Sequence, residues 1–171
     1  AVTRAITIGQ MVFGLMVIVV VFLSTLLSDA GPNELTFLGA GILLFATELT
    51  FILPLPGHPR DWMPWLMYVN IVGLGIMQAA LPEVLTGLLW AFPVGWLASR
   101  RRARFAVFGL VLILLILVVA VLPRSGQPPE RAFAIYVLVP IIMLSVGAVA
   151  VHTISQRGRR VRDSQRRQAR L

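Results

Sequence analysis

The sequence has no cysteine and no lysine. The first absence excludes disulfides, thiolate nucleophiles and thiolate-bound metals. The second excludes Schiff-base chemistry, retinal attachment included. All 15 basic residues are therefore arginines, against 7 acidic ones, a usage that points to a GC-rich genome. Charge is scarce as well: 13% of the residues are charged and 58% are hydrophobic. A soluble domain of this length needs a far more polar surface. Here the surface itself must be apolar, so the expected solvent is lipid.

Enzyme constellations are missing too. There is no HExxH, no GxSxG and no glycine-rich phosphate loop. No aspartate falls within an expected span, so an intramembrane aspartyl dyad is excluded. The two histidines, His58 and His152, read as solvated interfacial residues, not as a metal pair. This segment is not expected to be an enzyme. No metal, cofactor or nucleic-acid partner is expected either.

What is present is a series of long apolar runs. A helix needs roughly 20 such residues to cross a bilayer core. Residues 8–27, 35–53, 105–122 and 132–154 fit that length. The section from 63 to 99 would make a single helix of about 55 Å at 1.5 Å per residue, too long for one crossing. Pro82-Glu83 near its middle supplies a break and a polar turn. Two helices, 63–81 and 83–99, are the better reading. The chain begins at Ala1, as expected if an initiator methionine was removed. No cleavage site follows the first apolar run, which reads as a span and not a signal peptide.

The predicted fold is an all-α, polytopic bundle of six transmembrane helices, residues 1–154, with a basic juxtamembrane helix at 155–171. The arginines orient it. With the N-terminus inside, every arginine except Arg124 and Arg131 falls on the cytoplasmic side, the asymmetry that the positive-inside rule demands. Both termini are then cytoplasmic, in a bacterial inner membrane. The outer loops are short, so no extracellular domain is there to catch a ligand. Gly73, Gly75, Ala79 and Ala80, then Gly87, Ala91 and Gly95, suggest close packing of the third span on the fourth. The fifth span, nearly all Leu, Val and Ile, reads as lipid-facing. Pro93 and Pro140 fall inside spans and should kink them.

Three residues could form a polar interior. Glu48 is a carboxylate in an apolar run, where burial costs several kcal/mol on most scales. It should be protonated, paired or turned inward. Asn70 and Gln78, eight apart in the third span, share roughly one face. A ligand site and simple interhelical hydrogen bonding both fit these residues.

The last span runs into SQRGRRVRDSQRRQARL, residues 155–171. His152, Arg157, Arg159, Arg160 and Arg162 stand at this exit, placed to transmit a signal or to bind anionic lipid headgroups. Ile154, Val161 and Gln168 are spaced by seven, as are Arg157, Ser164 and Leu171, a thin heptad echo. A bundle with tiny loops, followed by a helix such as RRVRDSQRRQARL, resembles the N-terminal membrane region of actinobacterial sensor histidine kinases. Six-span adenylyl and diguanylate cyclases share the layout. The resemblance is architectural across the whole chain and carries no diagnostic motif. It implies a sensory and anchoring module, a homodimer, and a cytoplasmic effector beyond the tail. Six spans in this length also resemble the substrate-binding subunits of vitamin uptake systems, with Glu48 and aromatic residues as ligand contacts. A structural membrane protein that recruits a partner through its basic tail is the third reading.

Overall fold

Apolar residues recur at helical spacing from the first turns of the chain, and in a computed structural model each such run is a helix. The structure describes residues 2–27, 33–52, 59–81 and 89–168. Among these residues there is no strand. The protein is all-α, as its sequence predicts.

Helix α1, Val2–Leu27, buries Gln10, Phe13, Gly14 and Val17. These lie at offsets of 0, 3, 4 and 7, one face of a 3.6-residue helix. Helix α2, Glu34–Ile52, repeats the pattern with Thr36, Gly39, Ala40, Leu43, Ala46 and Thr47. Asn33 starts it: its Oδ1 accepts from the Thr36 N–H at 3.0 Å and from the Thr36 hydroxyl at 3.1 Å. That is an N-cap, which satisfies one of the open donors of the first turn. The outward faces of both helices carry Phe22, Leu26, Phe37 and Phe45 where a water-soluble helix would carry charge.

Helix α3, Pro59–Ala80, is the central one. It packs against α2, against α4 (Ala91–Ala98) and against α5 (Arg104–Ile116). The α2–α3 crossing is a backbone contact. A Cβ on Gly39 would lie 2.8 Å from the Gly73 carbonyl oxygen and 2.6 Å from Met77 Cγ. A Cβ on Gly73 would lie 2.9 Å from the Leu43 side chain. Gly75 faces Ile116 of α5, at 2.6 Å from a would-be Cβ. The small residues of α3 thus admit α2 and α5. The expected packing of the third span on the fourth is present as α3 against α4, but Gly95 has nothing within 4 Å and does not form the expected small-residue seam, and Gly87 lies outside the described residues.

Helix α5 continues through a π-helical turn, Leu117–Val121, and a 3-10 turn, Leu122–Arg124. Its buried stripe is Gly109, Ile113, Leu117 and Val121, with large apolar side chains outward on the other faces. After Gly126, at φ +64°, a conformation that suits glycine, the chain turns back as α6, Pro129–Phe133. A second π turn, Ala134–Leu138, leads into α7, Val139–Gln168.

Both π turns have the same cause. Leu122 donates its N–H to the Leu117 carbonyl, and Val139 donates to the Ala134 carbonyl, each five residues back. The next residue is proline in both places, Pro123 and Pro140. Proline has no N–H to donate and its ring crowds the carbonyl four residues behind it. Widening the helix to the i→i+5 pattern relieves that crowding. Pro140 therefore sits just past a widened turn. Pro93 corrects another expectation. It lies in the first turn of the eight-residue α4, where an N–H would have had no helical partner to lose.

Two stretches are long and apolar enough to cross a membrane, Arg104–Arg124 and Pro129–Gln168. The expected six spans of full length are not what the described residues contain. The apolar stretches of α1 and α3 are shorter, Ile8–Leu23 and Pro64–Ala80. The expected fourth span, 83–99, is represented by α4 after a 3-10 turn at 89–90. Residues 82–88, with the expected Pro82-Glu83 turn, lie outside the described residues.

Candidate functional site

The sequence-derived candidates separate into two places. One is a junction where the last helix leaves the bundle. The other is a buried polar contact between α1 and α3.

The junction is built on the C-terminal end of α4. A helix end leaves carbonyls without helical donors. Two are satisfied locally: Ser99 N–H donates to Gly95 O at 3.0 Å, and Arg100 N–H to Leu97 O at 3.2 Å. The Ser99 hydroxyl turns back to Trp96 O at 2.7 Å. Three further acceptors, the carbonyls of Ala98, Ser99 and Arg101, are met from α7. His152 Nδ1 donates to Ala98 O at 2.9 Å, which fixes the proton on Nδ1. Gln156 Nε2 donates to Arg101 O at 3.3 Å, and Arg159 Nη2 donates to Ser99 O. These three residues lie at offsets of 0, 4 and 7, so one face of α7 presents them all.

The turn is held from the opposite direction as well. Tyr68 of α3 donates its hydroxyl to Phe105 O at 3.1 Å. The Arg100 guanidinium lies over the Trp96 ring at 3.8 Å from its centroid, a cation–π contact. A cation such as Arg159 at the carbonyl end of α4 also complements the helix dipole. The arrangement is a latch: α7 is tied by side-chain donors to a turn that α3 also grips. It couples positions mechanically.

Of the residues proposed for this exit, His152 and Arg159 join the latch. Arg157, Arg160 and Arg162 are exposed on the other faces of α7. Gln156, Ser99 and Tyr68 complete the junction and were not among the sequence candidates. The spacing of His152, Gln156 and Arg159 was the available signal for Gln156.

The polar interior is rearranged. Asn70 and Gln78 are buried, as the sequence suggests. Glu48 is exposed on α2. That corrects its place in the interior: the buried stripe of α2 passes through Ala46 and Thr47, and the next residue turns about 100° away. Asn70 instead meets Gln10 of α1, donating from Nδ2 to Gln10 Oε1 at 3.4 Å. Both side chains are fully buried. Thr47, also buried, donates its hydroxyl to Leu43 O at 2.9 Å.

Among the described residues, no three His, Asp or Glu side chains gather as metal ligands. His58 lies outside them. Comparison with family models, with curated proteins and with solved structures finds no match to this chain.

Proposed function

We propose that this chain is a membrane-embedded sensory and anchoring module whose last helix carries a signal to a cytoplasmic effector, such as a histidine kinase. The observation that carries the proposal is α7. It is one unbroken helix of 30 residues, about 45 Å long at 1.5 Å per residue. It starts against a π turn in the apolar hairpin, passes the latch, and continues as an arginine-rich rod. A shift among α3, α4 and α5 therefore reaches the rod through His152, Gln156 and Arg159.

In this reading the bundle is a six-span protein of a bacterial inner membrane, with both termini inside. Arg157, Arg160 and Arg162, exposed where α7 emerges, contact anionic headgroups at roughly 1 kcal/mol each. Ile154 and Val161, both exposed and one heptad apart, form the seam of a homodimer along the rod. The chain itself performs no catalysis; the effector does.

The test is the intact mass of the native gene product, followed by assays for ATP-dependent autophosphorylation and cyclic nucleotide synthesis. The expected results are a mass well above that of these 171 residues and an output that changes in Arg159→Ala. A mass equal to that of these residues, with no co-purifying effector, would sink the proposal.

A further inference from the structure

Gln10 and Asn70 are each 0% exposed. Each is a primary amide, with two N–H donors and a carbonyl acceptor. Two such amides side by side can close a ring with two reciprocal hydrogen bonds. Here only one edge is joined, Asn70 Nδ2 to Gln10 Oε1 at 3.4 Å. On the other edge, Gln10 Nε2 and Asn70 Oδ1 have no partner. A buried donor or acceptor left in that state costs about 1–3 kcal/mol, and such groups commonly hold an ordered water.

The remainder has a definite chemistry. It is one donor and one acceptor. A cation would satisfy Oδ1 and be repelled by the Nε2 hydrogens. An anion would do the reverse. Turning both amides over exchanges the atoms and leaves the same remainder. Only a neutral group that accepts one hydrogen bond and donates another completes the pair.

The surroundings are confined. Phe92 of α4 stacks on Phe13, one turn along from Gln10, with centroids 4.9 Å apart and planes at 18°. The same ring lies 3.4 Å from where a Cβ on Gly9 would stand. Phe92 thus spans the turn of α1 that carries Gln10. A bulky molecule would have to displace it.

We infer that Gln10 and Asn70 form a binding site for one neutral hydroxyl group, which accepts from Gln10 Nε2, donates to Asn70 Oδ1 and joins α1 to α3. Water is the smallest source of such a group. A small alcohol or polyol is the other. The site does not depend on the sensory reading of the chain.

The experiment is NMR on the full chain in lipid nanodiscs, with 15N-labelled glutamine and asparagine. The Gln10 side-chain amide is assigned by its loss in Gln10→Met or, if that variant does not fold, by its loss with the gain of one asparagine amide signal in Gln10→Asn. A nuclear Overhauser effect from Gln10 Hε to a water resonance supports the site with water as its occupant. An effect to carbon-bound protons of a retained small molecule supports it with an alcohol or polyol. No effect to any molecule other than the protein overturns the inference. So does finding, with 13C and 15N labelling, scalar couplings on both edges at once, Gln10 Nε2 to Asn70 Cγ and Asn70 Nδ2 to Gln10 Cδ, because the amides would then close on each other.

Discussion

The α1–α3 region and the α5–α7 region are both apolar on their outer faces, yet they are held together differently. In the first, backbones touch at Gly39 and Gly73, and buried amides meet at Gln10 and Asn70. In the second, the two helical arms are widened by π turns, and α7 is fixed at its exit by donors to backbone carbonyls. Glycine contact fixes a distance between two helix axes and tolerates little change. A latch of three side chains holds a position and can be released. In the proposed sensory role, the first region sets geometry and the second transmits.

The largest effect is expected where the rigid region is forced apart. Gly39→Leu places a side chain into Met77 and the Gly73 carbonyl and should cost about 3 kcal/mol or more, read as a lower Tm in detergent. Gly41 has nothing within 4 Å, so Gly41→Leu should leave the Tm nearly unchanged. Equal losses in the two variants would break the contrast.

The latch comes next. His152→Ala with Arg159→Ala removes two hydrogen bonds, each worth about 1 kcal/mol. Hydrogen exchange should speed up across residues 152–168 and stay unchanged across 8–23. Faster exchange in both stretches would mean that the latch is part of the core.

The smallest effect on stability is expected from Pro140→Ala. Restoring an N–H lets the π turn at Ala134–Leu138 rewind to α-helical pitch. The upstream Ala132 and Val137 would then rotate by about 100° relative to Leu144 and Ala148. The change would be read as a shift in which introduced cysteine pairs cross-link, with a change in unfolding free energy below about 1 kcal/mol.

Much of the helical layout is legible in the sequence, because apolar spacing is a local signal. Which face a residue takes is also written there. The stripe Thr36, Gly39, Ala40, Leu43, Ala46 and Thr47 turns Glu48 outward, although the cost of burying a carboxylate suggested the interior. Gln10 stands alone in an apolar run, as visible as Asn70, but it lacks the charge that marks Glu48. The acceptors of the latch were not legible. Ala98, Ser99 and Arg101 contribute backbone carbonyls, which every residue has. The prolines were visible, but whether a proline kinks, starts or widens a helix depends on its position in the finished helix.

In the proposed role, the α5–α7 hairpin crosses the bilayer and delivers the arginine rod to the inside. These 171 residues contain no cysteine, so single-cysteine variants made in them, in a form of this length, report without background from the chain. Gln127→Cys and Ser164→Cys, each in whole cells, would be exposed to a membrane-impermeant maleimide. Residue 127 is expected to be labelled in intact cells, and residue 164 only after the membrane is broken. Labelling of both positions in intact cells, or of 164 alone, would contradict it.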